Sequence, residues 1–490
     1  MASPSTDLLI DGERVEGAGA PLAVENPATE ETVAIVGSAS EEQVRAATAA
    51  AVRGQEAWSR IAAAERAELL HEIAAGLRAR TDEFAALMTS EGGKPLVENA
   101  DEVGWTASAF SFYAELARTQ IGRVIPPVET HQLAMVVKEP LGVVGAIVPW
   151  NYPLLLLAWK LAPALAAGNA VVCKPSELTP LSTLALAPLF HALPPGTVQL
   201  LAGAGEVGSA LVQDPRVDGI AFTGSTETGK AIARAAIDRM ARVNLEMGGK
   251  DALIVCPDVS GEALQIAAEG AAWASFLNAG QVCTSTERIY VHASRYDEFV
   301  AAFVAYTGTL RIGDPTQPTT DVGPMVSAAQ RAKAAAHVEA AVAAGAELLI
   351  GGDRAGHERG HFLSPAVLTG VPAEAAVLRA ETFGPVAPIV RVGSVDEAVA
   401  LANGSQYGLG VNVYTTDLET SIGLSRRLKA GTVWINDPLT DNDAGPFGGF
   451  KQSGLGRELG PEGLEAFQET KHVHLDPRIE RKDWWYPYGR

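Results

Sequence analysis

Cysteine is scarce in this sequence: only Cys173, Cys256 and Cys283 occur in 490 residues. The count is odd and no CxxC pair is present. A disulfide framework and a structural zinc site are therefore not expected, and a reducing, cytoplasmic setting fits best. Positive charge is also short, with 38 Lys and Arg against 58 Asp and Glu, a formal net charge of −20. Such a surface repels phosphate backbones, which argues against nucleic acid as a partner. No basic tract and no block of like charges occurs, so there is no polybasic membrane anchor. The first residues lack the basic and apolar regions of a signal peptide. One uncharged stretch, residues 141–159, has the length of a membrane span. Pro149 and Pro153 interrupt it, and Val and Ile cluster only in its first part, so strand, loop and helix explain it better.

Apolar residues make up 47 % of the chain, which is ample for large cores, and the length suggests about two to four domains. Residues 7–16 read as a hairpin around Asp11-Gly12, and residues 40–119 as mostly helical, opening on a capping box at Ser40 and Gln43. From Leu141 short Val/Ile-rich runs alternate with helical ones. Strands are expected at 143–148, 170–174, 198–201, 219–223 and 243–246. This alternation implies a doubly wound parallel sheet that binds ligands beyond its strands' carboxyl ends. A second alternating block runs over residues 251–436 and is joined to the first through Gly248-Gly249. The expected fold class is α/β.

Several short segments point to chemistry. Gly203-Ala204-Gly205-Glu206-Val207-Gly208 matches GxGxxG but follows the third expected strand rather than the first, so a structural turn fits as well as a cofactor contact. Phe222-Thr223-Gly224-Ser225 sits at a strand-to-helix junction that suits a pyrophosphate or an ordinary N-cap. Cys283 lies among small and polar residues, a setting for an accessible thiolate or for a structural cysteine, whereas Cys173 and Cys256 sit in Val/Ile-rich strands. Glu246 is a carboxylate at a strand end, either a base or a solvated loop acid. Asn151, between Pro149 and Pro153, is either an oxyanion donor or a turn residue.

These segments occur in one order: Pro149-Trp150-Asn151-Tyr152-Pro153, Lys174-Pro175-Ser176-Glu177, Phe222-Thr223-Gly224-Ser225-Thr226, Glu246-Met247-Gly248-Gly249-Lys250, Gly280-Gln281-Val282-Cys283, Glu381-Thr382-Phe383-Gly384-Pro385 and Pro446-Phe447-Gly448-Gly449. Together they resemble the NAD(P)-dependent aldehyde dehydrogenase superfamily, from the N-terminal hairpin to about Val473. The resemblance implies a Rossmann-like cofactor domain (1–120 and 141–247), an α/β catalytic domain (248–450) and a small β-flap for oligomerisation (121–140 and 468–478). A homo-oligomer follows, a dimer or a dimer of dimers. It implies Cys283 as nucleophile, Asn151 as oxyanion donor and Glu246 as general base for thioester hydrolysis. Trp150, Lys174, Ser176, Glu177, Gly205, Gly208, Phe222, Gly224, Ser225, Gly248, Glu381 and Phe383 form the implied cofactor set. Glu177 favours NAD, because a 2′-phosphate meets like charge there; NADP stays open. No metal is expected. Met247 departs from the usual Leu and changes little.

The resemblance places the aldehyde among Leu155, Trp159, Leu277, Val282, Thr284 and Asp441. Asp441 and Asp443 put negative charge at the mouth, for an aminoaldehyde or betaine-type aldehyde, or else cap a surface loop for a neutral aliphatic or aromatic one. The alternatives are a CoA-acylating or reductive enzyme, against which Glu246 speaks, and a non-catalytic NAD-binding structural protein. The aromatic tail, residues 479–490, is expected to dock, on a neighbouring subunit in one reading.

Overall fold

The computed structural model describes residues 4–119 and 122–488. Residues 120–121, at the start of the expected flap, and 489–490, at the end of the tail, lie outside the described residues.

Two open sheets form the body. The first is eight-stranded, in the order Gly454–Leu455, Arg242–Met247, Gly219–Gly224, Val143–Ile147, Ala170–Lys174, Val198–Leu200, Leu8–Ile10, Glu13–Val15. Its central strands, from Arg242–Met247 through Val198–Leu200, are parallel, and the N-terminal hairpin closes one edge antiparallel. Register matters more than length here. Ile147 pairs with Lys174, Phe222 with Ile147, and Thr223 with Glu246. The loops carrying Trp150-Asn151, Lys174, Gly224 and Glu246 therefore emerge along one edge, where ligands of such sheets bind.

The second sheet has the order Glu347–Ile350, Ala366–Thr369, Val386–Val392, Thr286–His292, Asp251–Val255, Gly410–Tyr414, Thr432–Ile435, parallel except for its first strand. It is wrapped by Glu262–Phe276, Tyr296–Thr307, Val395–Asn403 and Leu418–Arg427. Gly248, Gly249 and Lys250 alone separate the two sheets, so the carboxyl edge of one faces the other across a cleft.

The uncharged stretch resolves into Val143–Ile147, a short loop and the helix Pro153–Ala167. Every residue of that helix is buried, which is why it reads as hydrophobic all round. Its N-terminus is capped from outside: Glu102 Oε1 accepts the Leu154 and Leu155 N–H groups at 3.0 and 3.1 Å. Among the described residues no helix is long and apolar enough to cross a membrane.

The hairpin of Pro21–Asn26 and Glu31–Gly37 was not evident from sequence, because its faces are half-exposed and its apolar alternation is weak. Arg123–Ile125, Leu133–Pro140 and Gln468–Leu475 form a separate three-stranded sheet with Val124, Leu133 and Leu475 exposed. The tail folds back on this sheet. Asp476 accepts hydrogen bonds from Gln132 Nε2 at 3.0 Å and Lys482 Nζ at 2.8 Å. Trp484, Trp485, Tyr486 and Tyr488 nevertheless stay exposed on the single chain.

Candidate active site

The loop that delivers Cys283 is strained and heavily tied down. After the helix Glu262–Phe276, Asn278 (φ 49) and Ala279 (φ 54) take the left-handed conformation, at a cost of about 1–2 kcal/mol each. Glu98 Oε2 accepts the Asn278 N–H at 3.1 Å, Gln281 Nε2 donates to Asn278 O at 2.9 Å, and Gln281 Oε1 accepts the Val326 N–H from a separate segment at 2.9 Å. Gly280 is required, since a Cβ there would lie 2.3 Å from Gly384 O.

Cys283 is partly exposed, whereas Cys173 is buried in the strand Ala170–Lys174 and Cys256 is buried just past the end of Asp251–Val255. Burial pushes the Cys283 thiol well up, and the carboxyls of Asp251, Asp441, Glu381 and Glu246 add to the shift.

Asn151 donates one Nδ2 hydrogen to Gln281 O at 3.1 Å, which fixes the amide and leaves its second N–H available. Its own carbonyl is held by Lys94 Nζ at 3.2 Å and Asn278 Nδ2 at 3.3 Å. Lys94 also ion-pairs with buried Glu102 and sits 3.6 Å from the Tyr152 ring centroid.

Two cavities meet at this point. The larger, about 500 Å³, is lined by Leu155, Trp159, Leu277, Val282, Thr284 and Asp441, all expected from sequence. Trp105, Tyr152, Trp273 and Phe447 also line it and were not expected. Trp159 and Phe447 pack with centroids 4.9 Å apart, and the Trp159 indole N–H has no partner. Trp105, Trp273 and Asp441 stay accessible and mark the mouth. Asp443 accepts a hydrogen bond from Ser108 Oγ at 2.6 Å. Asp441 keeps exposed surface yet stands in a concave ring of protein; desolvation there and the neighbouring Asp443 push its carboxyl up to about 7.

The smaller cavity, about 160 Å³, shares Asn151, Leu156, Cys283 and Phe447 with the larger one. Trp150, Gly224, Ser225, Glu246, Gly248, Glu381 and Phe383 complete much of its wall. Trp150 and Phe383 meet edge to face, with centroids 5.3 Å apart. Glu381 Oε1 accepts the Gly249 N–H at 3.2 Å, and burial pushes this carboxyl up to about 7. Gly248 makes room for it: a Cβ there would lie 2.2 Å from Glu381 Oε1. Ser225 caps the helix Thr226–Ile237 through the Thr228 N–H and also lines the cavity.

Glu246 is buried and both of its carboxyl oxygens lack partners. Desolvation and nearby Glu458 hold its carboxyl well above the usual range, against the pull of Lys160. The solvated loop acid considered from sequence is therefore excluded. Gly448 admits the side chain, since a Cβ there would sit 2.6 Å from Glu246 Oε1.

The remaining cofactor candidates lie further along the same sheet edge. Lys174 is buried and faces half-exposed Glu177 at 3.7 Å, and desolvation lowers its ammonium pKa. Gly208 leaves space 3.9 Å from Lys174 Cδ, while Gly205 is open on its Cβ side. Gly203, not Gly205, makes the tight turn, with φ 154 and a Val207 methyl only 2.2 Å from where a Cβ would sit. Two expectations are corrected in kind. Phe222 is buried beneath the turn, its ring 2.5 Å from where a Gly224 Cβ would sit, so it contributes packing. Ser176 turns its hydroxyl inward to accept the Leu178 N–H at 3.2 Å and shapes the loop.

A cysteine shared by an apolar tunnel and an α/β cleft, with an amide beside it and a buried carboxyl across from it, defines a cysteine-dependent oxidoreductase. The chain belongs to the aldehyde dehydrogenase family, whose profile matches residues 15–473. It is 41% identical over 493 residues to an aminoaldehyde dehydrogenase, peroxisomal, of Malus domestica, covering 97% of each chain. It is 37% identical to the betaine aldehyde dehydrogenase of Bacillus subtilis (strain 168), covering 98% of this chain and 99% of the other. The solved structure of betaine aldehyde dehydrogenase from Staphylococcus aureus in complex with NAD+ superposes with a TM-score of 0.95 at 35% identity, covering 99% and 97% of the two chains.

Proposed function

We propose that this chain oxidises a cationic aldehyde, an aminoaldehyde or a quaternary-ammonium aldehyde, to its carboxylic acid with NAD. The observation that carries the substrate class is the larger cavity. Tyr152, Trp159 and Phe447 give the wall aromatic character suited to a cation, and Asp441 and Asp443 set negative charge at the mouth. Its inner end is Cys283. Relatives named for aminoaldehydes and betaine aldehyde support the same class.

The smaller cleft suits the nicotinamide end of a dinucleotide whose adenosine end would lie further along the sheet edge at Lys174 and Glu177. It has an aromatic wall in Trp150 and Phe383, a helix N-terminus at Ser225, and a cradle at Gly224 and Gly248 that a Cβ would fill. Glu381 and Glu177 would accept ribose hydroxyls, and Lys174 would stand beside Glu177; the carboxylate of Glu177 supports NAD over NADP.

The Cys283 sulfur, once deprotonated, adds to the aldehyde carbon. The free Asn151 N–H and the Cys283 backbone N–H donate to the resulting oxyanion. NAD, when bound, supplies the acceptor for the hydride that leaves the substrate carbon, and Cys283 is left carrying an acyl thioester. Glu246 then takes a proton from the water that hydrolyses it. Burial and Glu458 hold its carboxyl above the usual carboxylate range, which makes it a stronger base than a solvated glutamate. A glutamate at this place also speaks for a free acid over transfer to coenzyme A.

The three-stranded sheet, with its exposed edge hydrophobics, would serve as the oligomerisation flap of a homodimer or dimer of dimers, and a reducing compartment such as the cytoplasm would keep Cys283 active. The test is a panel of aldehydes with NAD, with and without coenzyme A. Quaternary-ammonium and amino aldehydes should show the highest kcat/KM and give free acid. Higher kcat/KM for neutral aldehydes of equal length would refute the substrate class, and turnover by Cys283→Ala would refute the mechanism.

A further inference from the structure

The loop Glu381-Thr382-Phe383 is held by a group that no step above uses. Phe383 has φ 56, which costs a bulky residue about 1–2 kcal/mol, so its surroundings must over-determine it. Glu287 supplies the restraint. It lies at the start of the strand Thr286–His292, just past the nucleophile loop. Its Oε2 accepts the Thr382 N–H at 2.8 Å and its Oε1 the Phe383 N–H at 2.7 Å. One carboxylate thus pins two consecutive amides of the strained turn.

Glu287 is 2% exposed, and a charge so buried needs a counter-charge. Lys250 provides it. Its ammonium pairs with Glu287 and also donates to Thr382 Oγ1 at 3.1 Å, while Arg288 Nε donates to Lys250 O at 2.8 Å. Lys250 follows Gly248 and Gly249, whose close approach admits Glu381. The same brace therefore sets both Phe383, against Trp150, and Glu381, against Gly249.

We propose that Glu287, braced by Lys250, is a positioning residue for dinucleotide binding: it fixes the Glu381–Phe383 wall of the smaller cleft. This rests on the reading that the cleft holds the nicotinamide end. The variant Glu287→Gln keeps the shape but offers one acceptor oxygen instead of two, and removes the charge facing Lys250. Its Kd for NAD, read by quenching of intrinsic tryptophan fluorescence, should rise about tenfold, the loss expected for a charge-assisted hydrogen bond. KM for the aldehyde and the rate of Cys283 alkylation without NAD should stay within about twofold of the parent. Glu287→Asp, which keeps the carboxylate, should recover part of the NAD affinity, and it carries the same comparison if the Gln variant does not fold. Unchanged NAD affinity in a folded variant overturns the proposal. So does an equal rise in the NAD and aldehyde constants, which marks a plain core ion pair. A parent protein that binds NAD but oxidises no aldehyde would instead count against the function proposed above, leaving the affinity comparison intact.

Discussion

Lys160 and Glu458 form an ion pair at 2.5 Å with both side chains fully buried, directly behind the proposed base Glu246. Lys160 also donates to Thr223 Oγ1 at 2.5 Å, while the second oxygen of Glu458 has no partner. Lys160 pulls the Glu246 pKa down and Glu458 pushes it up. Removing the ammonium in Lys160→Met should therefore raise Glu246 further and move the rising limb of the hydrolysis rate to higher pH. The same change strands a buried carboxyl and should cost about 3–5 kcal/mol of stability. Chemical denaturation and a pH–rate profile measure the two effects; an unmoved profile would show that the pair does not tune Glu246.

Glu246→Gln should separate acylation from hydrolysis. A first turnover of NADH is expected to survive, followed by a steady-state rate lower by about 10²–10⁴-fold. A rapid-quench burst with a labelled acyl-enzyme is the measurement, and an absent burst would place Glu246 in acylation as well.

Because burial and four carboxyls hold the Cys283 thiol up, alkylation of the NAD-free protein by a neutral reagent should keep rising with pH beyond the ordinary thiol range. A plateau near neutrality would mean a preformed thiolate, contrary to the geometry described.

Asp441 should act as a titratable lure. Its carboxyl, pushed up to about 7, is neutral below that pH and anionic above it, so kcat/KM for a permanently cationic aldehyde should gain on that for a neutral one as pH rises through about 7. Asp441→Asn should flatten the ratio, with a loss of about fivefold at alkaline pH, the size of one partly screened charge pair. A ratio independent of pH in the parent protein would remove Asp441 from substrate selection.

Much of this was legible in the sequence because the chemistry sits in short strand-end segments. Asn151 and Glu246 fall where hydrophobic runs stop, and parallel register brings those ends together, while Cys283 arrives on the loop between a helix and a strand of the second sheet. Trp105 and Trp273 were not legible, since each is one exposed aromatic on a helix, and only tertiary packing turns it toward the tunnel. Glu287 was hidden for a different reason. Its role lies in accepting backbone N–H groups from a loop 95 residues away, which no local pattern records. Phe222 was over-read: its motif suits a phosphate, but the strand's inward face claims the ring itself. The upward push on the Cys283 thiol also lay beyond sequence, because it comes from burial and then from carboxyls on four separate segments.

Cys283 belongs to the wall of both cavities, together with Asn151, Leu156 and Phe447. A ligand in either cavity would thus meet the nucleophile, so the two pockets share a wall rather than a passage remote from the chemistry.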